Sequence, residues 1–97
     1  CRTPLHCGDN APQVIQTVAL CTGGGQGFID DAADYVVAAF LSGEVSYKTI
    51  HIARERVLHF FAAGHHATER GGVRALGEWL AETQGLEVIF VDIDNPA

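Results

Sequence analysis

Two histidines and a carboxylate within seven residues are the part of the sequence best suited to chemistry. Residues 64–70 read GHHATER and follow an apolar run that predicts a buried strand. If a helix begins at or just before Ala67, His65 and Glu69 are four residues apart and share one helix face. An imidazole and a carboxylate at that spacing can chelate a divalent transition metal. The same spacing also occurs in hydrogen-bonded surface pairs, and a metal site usually needs three or four protein ligands.

A glycine-rich segment, TGGGQG at residues 22–27, follows the first expected strand. Its backbone N–H groups could cradle an anion at a helix start, and the same glycines also suit a tight turn that needs their torsion angles. The segment is not a P-loop, because no Lys-Ser or Lys-Thr pair follows, and it is not the G-x-G-x-x-G fingerprint of dinucleotide-binding proteins. Asp30 and Asp31, which come next, would repel a phosphate and stabilise a helix dipole.

Composition indicates one small globular domain or a fragment of a larger protein, because the 97 residues are 47% apolar and 19% charged. The net charge of −6, with only six lysines and arginines, argues against a nucleic-acid partner. The longest apolar runs, about 6 to 8 residues, are too short to span a membrane. The chain begins at Cys1 and contains no methionine, so we expect a piece of a longer or processed protein.

The three cysteines, Cys1, Cys7 and Cys21, do not form a CxxC pair. An odd number without that pair argues against a disulfide framework and favours a reducing, cytoplasmic location. Cys1 and Cys7 could bind metal or react, or they could be structural thiols.

Short apolar segments alternate with amphipathic ones, which predicts an α/β fold with the order β-α-β-α-β-α-β and a mostly parallel sheet. We assign residues 1–13 to a connector loop and residues 14–97 to one α/β portion. Ser46 is a candidate N-cap and Gly85 a candidate helix stop. The expected strands are residues 14–20, 39–43, 57–63 and 86–92, and the expected helices are residues 28–39, 47–55 and 67–83.

The carboxyl ends of parallel strands lie at one edge of a sheet, where ligands collect. The glycine-rich segment, Glu44 and the GHHATER segment should therefore converge. At that edge Glu44 could be an outer partner of a metal ligand, a general base or an ordinary loop charge.

Four motifs identify the chain as similar to a known family: CTGGG at residues 21–25, SGEVS at residues 42–46, GHHATER at residues 64–70 and DIDNP at residues 92–96. Their order and spacing resemble the C-terminal part of the Nif-three-like dinuclear metal-binding family, whose bacterial members are labelled GTP cyclohydrolase 1 type 2. The resemblance extends from about Val14 to Ala97. It implies a larger fold of two interleaved α/β domains and a ring-shaped homohexamer.

The resemblance also implies two divalent metal ions per subunit of the complete protein, with zinc, iron or manganese as candidates. His65 and Glu69 match two of the family's ligands, and Glu69 would be the bridging carboxylate. The family's His-His pair and its Asp have no counterpart in these 97 residues, and His65-His66 is not that pair. The chain alone is therefore expected to bind metal weakly.

Three functions follow from the resemblance. The first is a metal-dependent hydrolase acting on a nucleotide such as GTP, with Glu44 and His66 as candidate proton carriers. The second is a non-catalytic metal-binding regulatory or scaffold protein assembled as a ring. The third is a fragment with no activity of its own.

Overall fold

The protein has an α/β fold, in which helices pack against a mixed β-sheet. A computed structural model describes residues 3–97. Cys1, one of the thiols considered as a metal ligand, lies outside the described residues. The strands are β1 (Leu5–Cys7), β2 (Val18–Cys21), β3 (Ala39–Ser42) and β4 (His59–Ala62). The helices are α1 (Ile29–Asp34), α2 (Tyr47–Glu55) and α3 (His65–Gln84), and Gly25–Phe28 forms a short 3-10 helix.

Of the four strands formed by residues 3–97, three are parallel, which confirms the α/β architecture expected from the sequence. The order is β1-β4-β3-β2, with β2, β3 and β4 parallel and β1 antiparallel to β4. Helices α1 and α2 connect neighbouring parallel strands, so the carboxyl ends of β2, β3 and β4 lie at one edge of the sheet.

The strand β1 was not expected, because residues 1–13 read as a connector loop. Its residues Leu5, His6 and Cys7 pair with three residues of β4 at the edge of the sheet. Only Cys7 is buried, so the segment contributes a single side chain to the core. Three residues are too few to show the alternation that identifies a strand, and the loop prediction is wrong for this segment. The domain boundary at residue 13 stays a prediction.

One face of the sheet carries the hydrophobic core. Phe40 and Phe60 are paired across β3 and β4, are almost completely buried, and have ring centroids 5.8 Å apart. Helix α1 contributes Ile29 and Ala32 to this cluster, and α2 contributes Ala53. Burying a Phe or Ile side chain stabilises a fold by about 1.5–3 kcal/mol. The cluster therefore fixes the strand register that sets the positions of the loops.

Two valines with left-handed backbone make the elements shorter than the sequence predicted. Val36 has a φ of 57° and Val57 a φ of 56°, in a region that is unfavourable for β-branched residues. Each valine reverses the chain just after a helix. As a result, α1 ends at Asp34 instead of residue 39, and β4 begins at His59 instead of residue 57.

The segment after α3 differs most from the prediction. Helix α3 ends as expected at Gly85, which has a φ of 65°. Residues 86–92, predicted as the fourth strand, form no strand among residues 3–97. They run back along α3, where the Arg74 guanidinium lies 5.3 Å from the centre of the Phe90 ring. A strand requires a neighbouring strand to share hydrogen bonds, so the apolar pattern alone gave the wrong prediction here.

Helix α3 projects away from the core. Its apolar side chains Val73, Leu76 and Trp79 are 59%, 56% and 55% exposed. The described residues extend over 50 × 25 × 21 Å. Their accessible surface of 6820 Å² exceeds the roughly 5,400 Å² of a compact protein of this mass. None of the helices formed by residues 3–97 is long and apolar enough to cross a lipid bilayer.

Candidate metal centre

The loops that follow β2, β3 and β4 meet at one edge of the sheet, as the parallel order predicted. The Gly43 N–H donates to the Gly23 carbonyl at 3.0 Å, and the Gly64 N–H donates to the Gly43 carbonyl at 3.0 Å. The Thr68 hydroxyl accepts from the Gly23 N–H at 3.3 Å and donates to the Gly64 carbonyl at 2.8 Å. These hydrogen bonds hold the first turn of α3 against the glycine-rich segment.

His65 lies between two carboxylates at this edge. It is the first residue of α3, so the helix begins two residues before Ala67 and the predicted i,i+4 pair with Glu69 forms. The His65 Nε2 atom is 3.1 Å from Glu69 Oε2, and Nδ1 is 2.5 Å from Glu44 Oε1. We call Glu44, His65 and Glu69 the carboxylate row. All three side chains are between 37% and 53% exposed, so the row is open to solvent.

The two carboxylates stabilise the charged form of the imidazole. The hydrogen bond with Glu44 raises the pKa of His65, and the charge of Glu69 also raises it, against the opposing effect of desolvation. The same hydrogen bond lowers the pKa of Glu44. A proton and a metal ion on Nε2 would both complement the Glu69 carboxylate, because both are positively charged.

Gly23 leaves the space that the Glu69 side chain occupies. Its φ is +64°, and a Cβ atom at this position would lie 2.1 Å from Glu69 Oε1 and 3.1 Å from His65 Nε2. A larger residue would strain the backbone and displace the carboxylate. Because the Gly23 N–H donates to Thr68, the structure favours a tight turn over an anion cradle for the glycine-rich segment.

The donor set of the carboxylate row suits a cation. An imidazole nitrogen and a carboxylate oxygen 3.1 Å apart can both reach one ion at the typical zinc–ligand distances of about 2.0–2.2 Å. With Glu44 on Nδ1, the imidazole presents Nε2 to Glu69, and a carboxylate on the other ring nitrogen commonly orients a metal-bound histidine in this way. Within residues 3–97 no group of three or more His, Cys, Asp and Glu side chains could hold a metal ion. The residues present therefore fit a metal as a ligand pair with one orienting carboxylate.

His66 contacts the segment after α3. Its Nε2 atom is 3.3 Å from Asp92 Oδ1, and its backbone N–H donates to the Ala97 carbonyl at 3.1 Å. The Arg70 guanidinium donates to the other oxygen of Asp92 at 2.8 Å. We call His66, Arg70 and Asp92 the tail clamp. The role of His66 as a proton carrier stays a prediction.

Sequence reasoning did not single out the polar contacts of Gln26 and Thr68. Both residues lie inside motifs that were recognised, but their partners come from other loops, so only the assembled fold shows what they bind. The Gln26 side-chain nitrogen donates to Ser46 Oγ at 3.1 Å and lies 3.5 Å from Glu44 Oε2.

Two other histidines form a pair at the opposite end of the strands. His6 Nε2 is 2.9 Å from His59 Nδ1, and His59 Nε2 is 2.5 Å from the Pro12 carbonyl oxygen. Because a carbonyl oxygen only accepts hydrogen bonds, His59 Nε2 is the donor in the second contact. This pair fastens β1 and the following loop to β4. Of the described cysteines, Cys7 is a free thiol buried in the core and Cys21 is a free, half-buried thiol at the end of β2.

Comparison with known proteins agrees with the fold and with the motifs. The sequence model of the DUF34/NIF3 family (NGG1p interacting factor 3) matches residues 2–96, and the chain belongs to this family. It is 67% identical over 96 residues to a protein of Escherichia coli K12 named GTP cyclohydrolase 1 type 2 homolog, covering 99% of this chain and 39% of that protein. A Pasteurella multocida protein of the same name is also 67% identical over 96 residues, and 38% of its length is covered.

Solved structures of related proteins share the fold. Protein ybgI, described as of unknown function, is 67% identical, with a TM-score of 0.96 over 99% of this chain and 39% of its own. The Thermus thermophilus protein TTHA1606 is 31% identical, with a TM-score of 0.88 over 97% of this chain and 37% of its own. The chain thus spans about two fifths of the length of these relatives.

Proposed function

We propose that this chain is the C-terminal portion of a dinuclear metal-binding protein that acts as a metal-dependent hydrolase on a nucleotide-type substrate. The observation that carries the proposal is the pair formed by His65 Nε2 and Glu69 Oε2, 3.1 Å apart at the carboxyl edge of a parallel sheet. The name GTP cyclohydrolase 1 type 2 homolog, given to relatives 67% identical to this chain, supports the substrate class. Because the chain covers 39% of such a relative, we assign the remaining ligands to the rest of the complete protein.

Each residue of the carboxylate row has a distinct part in this proposal. His65 and Glu69 would hold the metal. Bound zinc, iron or manganese would supply Lewis acidity and lower the pKa of a coordinated water. Glu44 keeps a proton on His65 Nδ1 so that Nε2 stays free, and Glu44 and His66 are the candidate proton carriers.

The second candidate function is a non-catalytic metal-binding regulatory or scaffold protein assembled as a cytoplasmic ring. The exposed apolar side chains of α3, including Trp79 at 55% exposure, favour extensive contacts with other parts of the assembly. We expect the complete protein to be a homohexamer, which sedimentation velocity would measure directly. A monomer at micromolar concentration would contradict the ring in either version of the function.

Metal content and turnover of the complete protein separate these proposals. We expect about two metal ions per wild-type subunit by elemental analysis and a loss of metal in the variants His65→Ala and Glu69→Gln. Glu78→Gln, a substitution farther along α3, is the control and should keep wild-type metal. Unchanged metal in both site variants would refute the ligand assignment. Metal-loaded protein that does not turn over GTP or other nucleotides would favour the scaffold function.

A further inference from the structure

Gln26 lies beside the carboxylate row and contacts Glu44. It lies in the 3-10 helix directly after the glycine-rich turn, and its half-buried side chain reaches toward Glu44. We propose that Gln26 is a positioning residue: it holds Glu44 in the orientation in which His65 keeps its proton on Nδ1 and presents Nε2 to a cation. This inference rests on the proposed function, because it assigns a further residue to the same site.

The orientation of the Gln26 amide follows from its neighbours. An ionised carboxylate can only accept hydrogen bonds, so the amide nitrogen and not the oxygen must face Glu44 Oε2. The Ser46 hydroxyl, 3.1 Å away, accepts the second N–H of the same nitrogen. A flipped amide would place its oxygen against the carboxylate and lose the contact with Glu44, because the carboxylate has no hydrogen to donate.

This orientation leaves the Gln26 oxygen in an unfavourable position. Oε1 is buried and has no hydrogen-bond partner within residues 3–97. Buried polar atoms without partners are uncommon in folded proteins, and each one calls for an explanation. A requirement to direct the amide nitrogen at Glu44 accounts for the unsatisfied oxygen, because only this orientation supplies that donor.

Gln26 affects His65 through the Glu44 carboxylate, which contacts both residues. The Gln26 amide nitrogen contacts Glu44 Oε2, and His65 Nδ1 contacts Glu44 Oε1. Because each carboxylate oxygen has a partner, the orientation of the carboxylate plane is restricted. A neutral imidazole carries its proton on one of its two nitrogens, and here each nitrogen faces a carboxylate: Glu44 is 2.5 Å from Nδ1 and Glu69 is 3.1 Å from Nε2. The shorter contact with Glu44 favours the proton on Nδ1. Loss of the amide would free Oε2, let the carboxylate rotate, and weaken the preference for a proton on Nδ1.

The test compares three variants of the complete protein. Gln26→Asn keeps an amide that is too short to reach Glu44, Gln26→Leu removes the amide, and Gln16→Leu replaces an exposed glutamine ahead of β2 as the control. Solid-state ¹⁵N NMR of histidine-labelled, metal-free protein at alkaline pH measures which ring nitrogen of His65 carries the proton, with His65→Ala giving the assignment. Titration with Co²⁺ measures metal affinity.

We expect both Gln26 variants to lose part of the Nδ1–H form of His65. They should also bind Co²⁺ about tenfold more weakly, which is the smaller end of the loss seen when a hydrogen-bond partner of a metal ligand is substituted. The Gln16→Leu control should match the wild type in both measurements. A wild-type proton position together with wild-type Co²⁺ affinity in both Gln26 variants would overturn the inference. If the wild-type protein bound no Co²⁺, the proposed function would fail, and the NMR measurement would still decide the positioning role.

Discussion

Glu44 Oε1 lies 2.5 Å from Nδ1 of His65, a residue 21 positions further along the chain. This contact joins the loop after β3 to the first residue of α3, and it leaves Nε2 as the imidazole nitrogen that faces Glu69. The carboxylate therefore has two candidate roles, orienting a metal ligand or moving a proton, which a single substitution can separate.

Replacing Glu44 by Gln should weaken metal binding by the complete protein about 10- to 100-fold, because the amide orients the imidazole less strongly than a carboxylate. Calorimetric titration with zinc would measure this change, with Glu55→Gln at the end of α2 as the matched control. Unchanged affinity combined with lost turnover would show instead that Glu44 acts as a proton carrier.

The charged pair of Glu44 and His65 predicts a pH dependence of folding stability in the metal-free protein. The pKa of His65 is raised, so its contribution is complete below the ordinary value of 6.5 and is lost as pH rises through the folded-state value. The pKa of Glu44 is lowered, so its contribution is complete above the ordinary value of 4.5 and is lost as pH falls through the folded-state value.

The stabilisation by this pair should therefore be complete between about pH 4.5 and 6.5 and smaller on either side. Urea unfolding of the wild type and of Glu44→Gln from about pH 4 to 9 would measure the difference in the free energy of unfolding inside and outside this range. A difference that stays constant from pH 4 to 9 would show that the pair does not form in solution.

Substituting Gly23 by Ala should damage both the fold and the site. The positive φ makes the substitution unfavourable by about 1 kcal/mol or more, and the new methyl group would collide with Glu69 Oε1. Gly27→Ala is the control, because a Cβ atom there meets no other atom within 4 Å. We expect the midpoint temperature of thermal unfolding and the metal content to fall in Gly23→Ala. Both should stay near the wild-type values in Gly27→Ala. Equal behaviour of the two variants would argue against the close approach of Gly23 to Glu69.

Asp92→Asn should release the segment after α3 by weakening the tail clamp. Asp92 accepts from Arg70 and contacts His66, and loss of its charge weakens both interactions. We expect faster amide hydrogen exchange in residues 86–97, while Asp94→Asn leaves exchange unchanged. If metal binding and turnover persist in Asp92→Asn, His66 serves the tail clamp; a selective loss of turnover would support its role as a proton carrier.

Local spacing predicted the parts of the structure that depend on near neighbours. His65 and Glu69 share a face because they lie one helical turn apart, and α2 begins directly after Ser46, whose N–H donates to the Thr49 hydroxyl at 3.1 Å. Gly85 ends α3 because a left-handed residue there suits glycine.

The features that the sequence did not predict depend on distant partners. The strand β1 exists because β4 offers it an edge, and residues 86–92 form no strand because the described residues offer them none. Likewise, the Gln26 amide gains a role only when the loops after β2 and β3 are brought together. The apolar pattern of a segment indicates whether it is buried. Which segment it pairs with through hydrogen bonds depends on the assembled fold.

The central claim is that His65 and Glu69 are ligands of one metal ion. Anomalous diffraction at the metal absorption edge, from crystals of the complete metal-loaded protein, tests it most directly. We predict a peak within about 2.0–2.2 Å of both His65 Nε2 and a Glu69 carboxylate oxygen, with Glu44 still hydrogen-bonded to Nδ1. Metal peaks that all lie away from these two side chains would contradict the account.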